Sequence, residues 1–321
     1  MTDRSGNFVT SNEKIGVVQY WNVASKEPRQ TNKIGSKGTN SMILLDSEPN
    51  VGPRILTALK NGALSVYNLK RQTTEFSTEM GHFETVFGVE YCRSNKDLLA
   101  SCSYDGTVRV WNANDMKLMV VNDTNFNSAQ AKQAKKIIYS ISWHPTETKI
   151  AMTTVNGNLM VFEAMKNKQL SHITPYPDNQ SFCVDWNKLD PKYILKTSAA
   201  GLAIVVEIQD YPTCKSLAIA KEYQHPDKVY GCAWNPMQKN EFVTACEDTI
   251  LRLFDFSIES NMPVKTFEGH TAKIYNVAYS PVLLNIVATG SDDKTIRVWR
   301  TDQSSTAISV CGGEGVKSSH K

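Results

Sequence analysis

The side chains that most resemble reactive machinery stand in two sets with one spacing: His82, Ser103, Asp105 and Trp111, then His270, Ser291, Asp293 and Trp299. Imidazole, hydroxyl and carboxylate are the parts of a nucleophile relay, so acyl transfer by a hydrolase is the chemistry they could perform. Such a relay occurs once and must face a pocket, whereas this set recurs at a fixed offset. Repetition points instead to a structural network in which buried polar groups satisfy one another and select one packing. A third set, His225, Cys246, Asp248 and Phe254, is degraded. Its thiol and phenyl ring cannot complete a chain of strong hydrogen bonds, so apolar packing is expected to hold that unit.

Other chemistries find less support. The six histidines, His82, His144, His172, His225, His270 and His320, form no HExxH pattern, and neither CxxC pairs nor clustered carboxylates point to zinc or calcium. No GxGxxG follows a strand and no GxxxxGK[ST] occurs, so no cofactor is expected. The glycines read as turn residues: Gly62, Gly106 and Gly157 supply positive φ in hairpins. Seven scattered cysteines, an odd number, fit reduced and mostly buried thiols of an intracellular protein.

The elements that must position these residues repeat along the whole chain. LLASCSYDGTVRVWN (98 to 112), EFVTACEDTILRLFD (241 to 255) and NIVATGSDDKTIRVWR (285 to 300) each read as a strand, a polar turn and a second strand. Weaker copies span 8 to 22, 54 to 68, 149 to 163 and 193 to 207. The residue closing each copy falls at Trp21, Tyr67, Trp111, Phe162, Val206, Phe254 and Trp299, at gaps of 46, 44, 51, 44, 48 and 45 residues. A further strand precedes most copies: VFGVEY, IYSISWHP, SFCVDW, VYGCAWNP and IYNVAYSP. A fourth, less regular one fits in segments such as KLMVV (117 to 121) or VKTFEG (264 to 269). Four short antiparallel strands cannot bury both faces alone, but sheets stacked around an axis can. Seven copies predict an all-β fold of seven blades in a single domain over 1–321.

The paired GH, Asp and Trp positions (Gly81, His82, Asp105, Trp111; Gly269, His270, Asp293, Trp299), repeated in six or seven spaced units, resemble the WD-repeat family of β-propellers. The likeness covers essentially the whole chain. More narrowly, KNGALSVYN, GHFETVFGVEY, IYSISWHP, HPDKVYGCAWNP and GHTAKIYNVAYSP resemble the group of WD repeat-containing protein seventeen and its protist relatives. For the polar sets the family implies that the turn Asp accepts from His, that His faces the Ser hydroxyl, and that Ser meets the Trp indole. His82, Ser103, Asp105, Trp111, His270, Ser291, Asp293 and Trp299 are thus expected to be structural.

The first unit starts late, with strands at 7 to 11 and 16 to 22 and no room before them for an innermost strand. AISVC (307 to 311) can complete the outer edge of the last blade, leaving 312–321 as a flexible tail. The expectation is six full blades plus a short or incomplete first one. Blade one has three strands, or the chain is cut from a longer array, or the tail fills the gap. An open edge there could fray, or could accept a strand from another segment or subunit. Residues 121–135, polar and rich in Asn, Gln, Ala and Lys, read as a surface insertion.

An aromatic column marks the inner strands: Phe87, Tyr139, Phe182, Tyr230 and Tyr275, opposite the residues facing the blade core, should ring one mouth of the central channel. The family resemblance implies peptide docking there, with Lys228 and Lys273 on the rim favouring an acidic partner. Arg109, Arg252 and Arg297, two before the closing aromatic, are expected to cover apolar neighbours with their stems while their guanidinium groups reach the surface.

With 35 basic against 32 acidic residues, the charge gives no reason to expect nucleic acid or an anionic membrane. No segment approaches the roughly 18 apolar residues of a membrane span. The expectation is a cytoplasmic or otherwise intracellular, non-catalytic scaffold for protein or peptide, a monomeric module within a larger chain or complex. The alternative is an architectural module of a trafficking, ciliary or other multi-subunit assembly; a hydrolase or an RNA-binding propeller is disfavoured.

Overall fold

A computed structural model describes residues 7–11, 16–22, 27–34, 38–45, 52–78, 81–124 and 137–312. Among these residues the strands form seven antiparallel sheets, six of four strands and one of three. Within each sheet chain order equals spatial order: Val86–Tyr91, Leu98–Ser103, Thr107–Asn112 and Leu118–Asp123 lie side by side, for example. Each sheet is therefore a meander with inner, second, third and outer strands. Together they make a seven-bladed WD-repeat propeller whose first blade has three strands among the described residues.

Apolar residues of consecutive sheets explain the stacking. Val108, Val110 and Cys102 of blade three pack with Ile141, Trp143 and Phe162 of blade four. Val161 of blade four meets Trp186 and Val206 of blade five, and Phe242 and Phe254 of blade six meet Val205 of blade five. Second strands lie between two neighbours; all six residues of Leu98–Ser103 are buried. Seven small cores thus replace one large one, and burial of both sheet faces stabilises each of them.

Turn chemistry fixes the blade spacing. Gly62 adopts φ +87°, and a Cβ there would stand 2.0 Å from the His82 carbonyl oxygen. Its own carbonyl accepts the His82 N–H at 2.9 Å. Only glycine lets the turn of blade two dock on the entry to blade three.

In blade one, Asn7–Ser11, Val17–Asn22 and Gln30–Lys33 are the second, third and outer strands, as pairing of Phe8 with Trp21 and Thr10 with Gln19 shows. The same registers join Leu99 with Trp111 and Ser101 with Arg109 in blade three. The last blade closes with Ser309–Gly312, which overlaps the stretch expected for it at 309 to 311; Gly312, read as the first residue of the tail, instead ends this strand. The inner strand of blade five is shorter than its sequence reads, beginning only at Val184. Val121 to Asp123, read as the start of the insertion, instead finish the outer strand of blade three; 125–135 of the insertion and 313–321 of the tail lie outside the described residues. No helix among the described residues is long and apolar enough to cross a membrane.

Candidate functional site

The relay residues come together, with one substitution in the hydroxyl. His82 Nδ1 lies 2.9 Å from Asp105 Oδ2 and His82 Nε2 lies 2.7 Å from Ser101 Oγ. Trp111 Nε1 donates to that same Ser101 Oγ at 2.8 Å. Ser103, the expected member, instead donates to the Glu84 carbonyl and accepts from the Asp105 N–H. In blade seven Thr289 joins His270 (2.7 Å) to Trp299 (2.8 Å), while Ser291 bonds the Ala272 carbonyl. Both serines sit at the strand end, where the hairpin uses their hydroxyls. A signal for the inner hydroxyl exists: Ser101, Thr244 and Thr289 keep an OH in blades three, six and seven, whereas Ser103's counterpart in blade six is Cys246.

Burial holds the His82 and His270 rings below their ordinary pKa despite the adjacent carboxylates. The neutral ring donates from Nδ1 to Asp and accepts at Nε2 from the hydroxyl, whose oxygen is then free to accept from the indole. Burial opposes ionisation of Asp105, but the hydrogen bonds from His82 and Thr107 outweigh it and hold the carboxyl below the usual range. Every member is committed to a neighbour, and the serine next to each turn is committed elsewhere.

The degraded blade also differs from expectation. His225 Nε2 meets Thr244 Oγ1 at 2.8 Å, and Cys246 takes no part, its thiol pointing to the Asp227 carbonyl. Asp248 pairs with Arg252 at 3.0 Å instead of with histidine. Phe254, lacking a donor, packs on Tyr223 and Phe242 at 4.8 and 5.2 Å. Arg109 and Arg252 do not reach the surface as expected. Both are buried; Arg109 donates to the Gly81 carbonyl at 2.7 Å, because the turn before each inner strand closes over this position.

Two functional-looking groups were missed. Lys196 fills the hydroxyl column in blade five, opposite Ile204. It is buried and donates to the Gly157 carbonyl at 2.8 Å, and burial pulls its pKa down to about 8. His144, buried at the end of the inner strand of blade four, accepts the N–H groups of Thr146 and Glu147 at Nδ1. Its ring stacks on Tyr211 at 6.0 Å and meets the edge of Trp186 at 4.8 Å. Asn187, Asn235 and Ser280 hold the same turn in other blades, so a turn-capping acceptor was legible, though not its aromatic stack.

The aromatic column forms a continuous arc. Ring centroids run from Phe87 to Tyr139 (5.0 Å), to Phe182 (5.8 Å), to Tyr230 (4.9 Å) and to Tyr275 (5.0 Å). All five rings are half-buried. A register shift brackets Phe87, Tyr139, Tyr230 and Tyr275, so each is the extra residue of a bulge, and the bulge aims the ring out of the ladder. Asn40 holds the corresponding place in blade two and ends the arc, donating to the Val86 carbonyl at 3.0 Å.

The rim lysines already have anionic partners. Lys228 Nζ lies 3.1 Å from Glu247, which also accepts the Tyr230 hydroxyl at 3.0 Å. Lys273 Nζ lies 3.6 Å from Asp292 and 5.0 Å from the centre of the Tyr275 ring. Burial, reinforced by Glu247, pushes the Tyr230 hydroxyl up to about 12, so it stays a donor. An incoming carboxylate would share each ammonium with a carboxylate already beside it. Among the described residues no group of three or more His, Cys, Asp or Glu could hold a metal ion.

Comparison with known proteins agrees with this geometry. The family described as "WD domain, G-beta repeat" matches residues 218–255 and 261–300, and the "Anaphase-promoting complex subunit 4 WD40 domain" matches 89–189. Glutamate-rich WD repeat-containing protein 1 of Dictyostelium discoideum is 29% identical over 122 residues, 34% of this chain and 25% of that protein. Methylosome protein WDR77 of Xenopus laevis is 20% identical over 230 residues, 71% of this chain and 65% of its own. Protein transport protein SEC31 of Ajellomyces capsulatus is 22% identical over 203 residues, 61% of this chain and 15% of its own. The matches thus span less than two thirds of each of these relatives.

Proposed function

This chain belongs to the WD40 β-propeller family, and from that premise we propose that it is a non-catalytic scaffold that docks an extended peptide across the aromatic arc. The observation that carries the reading is the unbroken run of five half-buried rings, from Phe87 to Tyr275, which would ring one mouth of the channel. Aromatic rings supply large contact area at low rotamer cost, and such residues dominate interface energetics. The ion pairs of Lys228 and Lys273 leave the arc itself, not net charge, as the main attraction. We place the protein inside the cell, and its narrower likeness to the WD repeat-containing protein seventeen group rests on the sequence landmarks alone.

The test is a cross-linking pull-down with the Tyr230→Ala, Tyr275→Ala double variant, its folding checked by circular dichroism. Loss of captured partners from a folded variant supports docking at the arc; retention of every partner sinks it.

A second reading, an architectural module of a larger assembly such as one of trafficking or cilia, is favoured by apolar loops at the opposite end. Leu189, Met237 and Leu284 are exposed there. Their loops are tied together by Asn187 to the Lys239 carbonyl at 2.7 Å and by Gln238 to Asn285 at 2.9 Å. Binding that survives the tyrosine changes but is lost with Leu189→Ser and Leu284→Ser selects it.

A further inference from the structure

Side chains at the third position of an inner strand lace it to the next blade. Ser41 Oγ of blade two accepts the Val89 N–H of blade three at 3.3 Å, and Ser140 Oγ of blade four accepts the Val184 N–H of blade five at 3.2 Å. In both cases the partner is the fourth residue of the next inner strand. In blade five this column holds Cys183, and the fourth residue of blade six is Cys232.

The lacing therefore sets two thiols against each other. Cys183 Sγ lies 3.6 Å from the Cys232 carbonyl oxygen. The Cys232 side chain points back toward blade five, with its Sγ 4.0 Å from the Leu195 carbonyl oxygen, and the two thiols share a hydrogen bond. That bond, helped by another from the Cys232 backbone, outweighs burial and holds the Cys183 thiol below its ordinary pKa. Burial, reinforced by the same contact, raises Cys232. Cys214 and Cys246 have only the Pro212 and Asp227 carbonyls within 3.4 Å of their sulfurs, and burial pushes both thiols up to about 11. Cys183 is half-buried and Cys232 is buried, so a small oxidant meets Cys183 first.

We propose that Cys183 and Cys232 form a reversible oxidation site, at which a peroxide joins blades five and six through a disulfide. The thiolate is the reactive form of cysteine, and its sulfenic acid condenses with a neighbouring thiol. Cys183, having lost its proton, attacks one oxygen of hydrogen peroxide; the O–O bond breaks and the departing hydroxide takes up that proton as water. The Cys232 sulfur then attacks the sulfenic sulfur, whose S–O bond breaks, and the hydroxyl leaves as a second water with the Cys232 proton. Two thiols give up two electrons to one peroxide, and a thiol reductant reverses the step by exchange. The bond lies one residue from Phe182 and two from Tyr230, whose rings stand 4.9 Å apart, so it fixes the two inner strands that carry the middle of the arc.

The test uses the folded 321-residue chain, treated with hydrogen peroxide, unfolded in an alkylating agent and digested with trypsin without reductant. The fragments 169–188 and 229–239 each contain one of these cysteines and no other. The expected product is these two fragments cross-linked, two hydrogens lighter than their sum and separated again by dithiothreitol. The two thiols should be lost together, at least about 10-fold faster than those of Cys102, Cys214 and Cys246. In Cys232→Ser the sulfenic acid has no thiol to meet, and dimedone should trap it on Cys183. The proposal is overturned if both thiols still alkylate after the other cysteines have oxidised, or if Cys183 pairs as often with another cysteine. A cross-link that forms only in urea, or that joins two chains on a non-reducing gel, overturns it as well. The unmodified sequence decides the matter even where Cys232→Ser fails to fold, and no outcome depends on anything binding the arc.

Discussion

Trp111 and His82 meet at a single oxygen, Ser101 Oγ, which accepts the indole N–H at 2.8 Å and lies 2.7 Å from the imidazole. Ser101→Ala therefore strands two buried polar groups at once and should cost about 2–4 kcal/mol, since each unsatisfied group costs roughly 1–3 kcal/mol. Ser103→Ala, which leaves both rings paired, should cost only about 1 kcal/mol. Urea unfolding of the two variants ranks them; the reverse order would return Ser103 to the network.

On the alkaline side stability should follow Lys196. Its pKa is about 8 in the folded protein, against an ordinary value of 10.5, so the unfolded chain binds more protons between these limits. Stability must then rise as pH increases from about 8 to 10.5, and a shift of this size corresponds to about 3 kcal/mol. Lys196→Met, which installs the residue blade four carries at Met152, should abolish that rise. Subtracting the unfolding free energies of the two proteins at each pH isolates it from tyrosine ionisation.

On the acid side His225 works in the same sense. Burial, aided by Arg252, lowers its pKa from 6.5 to about 4, so the ring is neutral when folded and protonates first in the unfolded chain. Stability should be complete above pH 6.5 and decline as pH falls to about 4, by roughly 3 kcal/mol from this ring. In His225→Gln that part of the decline should disappear from a denaturation series across the same window.

Two glycines should respond oppositely to alanine. Gly62→Ala forces a Cβ into the His82 carbonyl at a positive φ and should cost at least about 2 kcal/mol. Gly290, in a strand of blade seven, has nothing within 4 Å of an added Cβ, and Gly290→Ala should stabilise by about 0.4–1 kcal/mol. Thermal melts of both variants check the pair.

The sequence by itself determined the seven repeats, the late start of blade one and the column from Phe87 to Tyr275, because strand alternation and a 44- to 51-residue period are local properties of the chain. The hydroxyl kept at Ser101, Thr244 and Thr289 marks the column that enters the relay, but only the tertiary structure decided between it and Ser103: Ser101 and Ser103 lie two apart on one strand face, and their depth against His82 depends on how blade two's turn seats on blade three. It also decided that bulges aim the aromatic rings, that Glu247 and Asp292 neutralise the rim lysines, and that Arg109 is enclosed. These depend on register and on how neighbouring segments seat against one another: the offset of 19 residues recurs in Lys228–Glu247 and Lys273–Asp292, but which side chains at that offset meet is set by strand register and bulges.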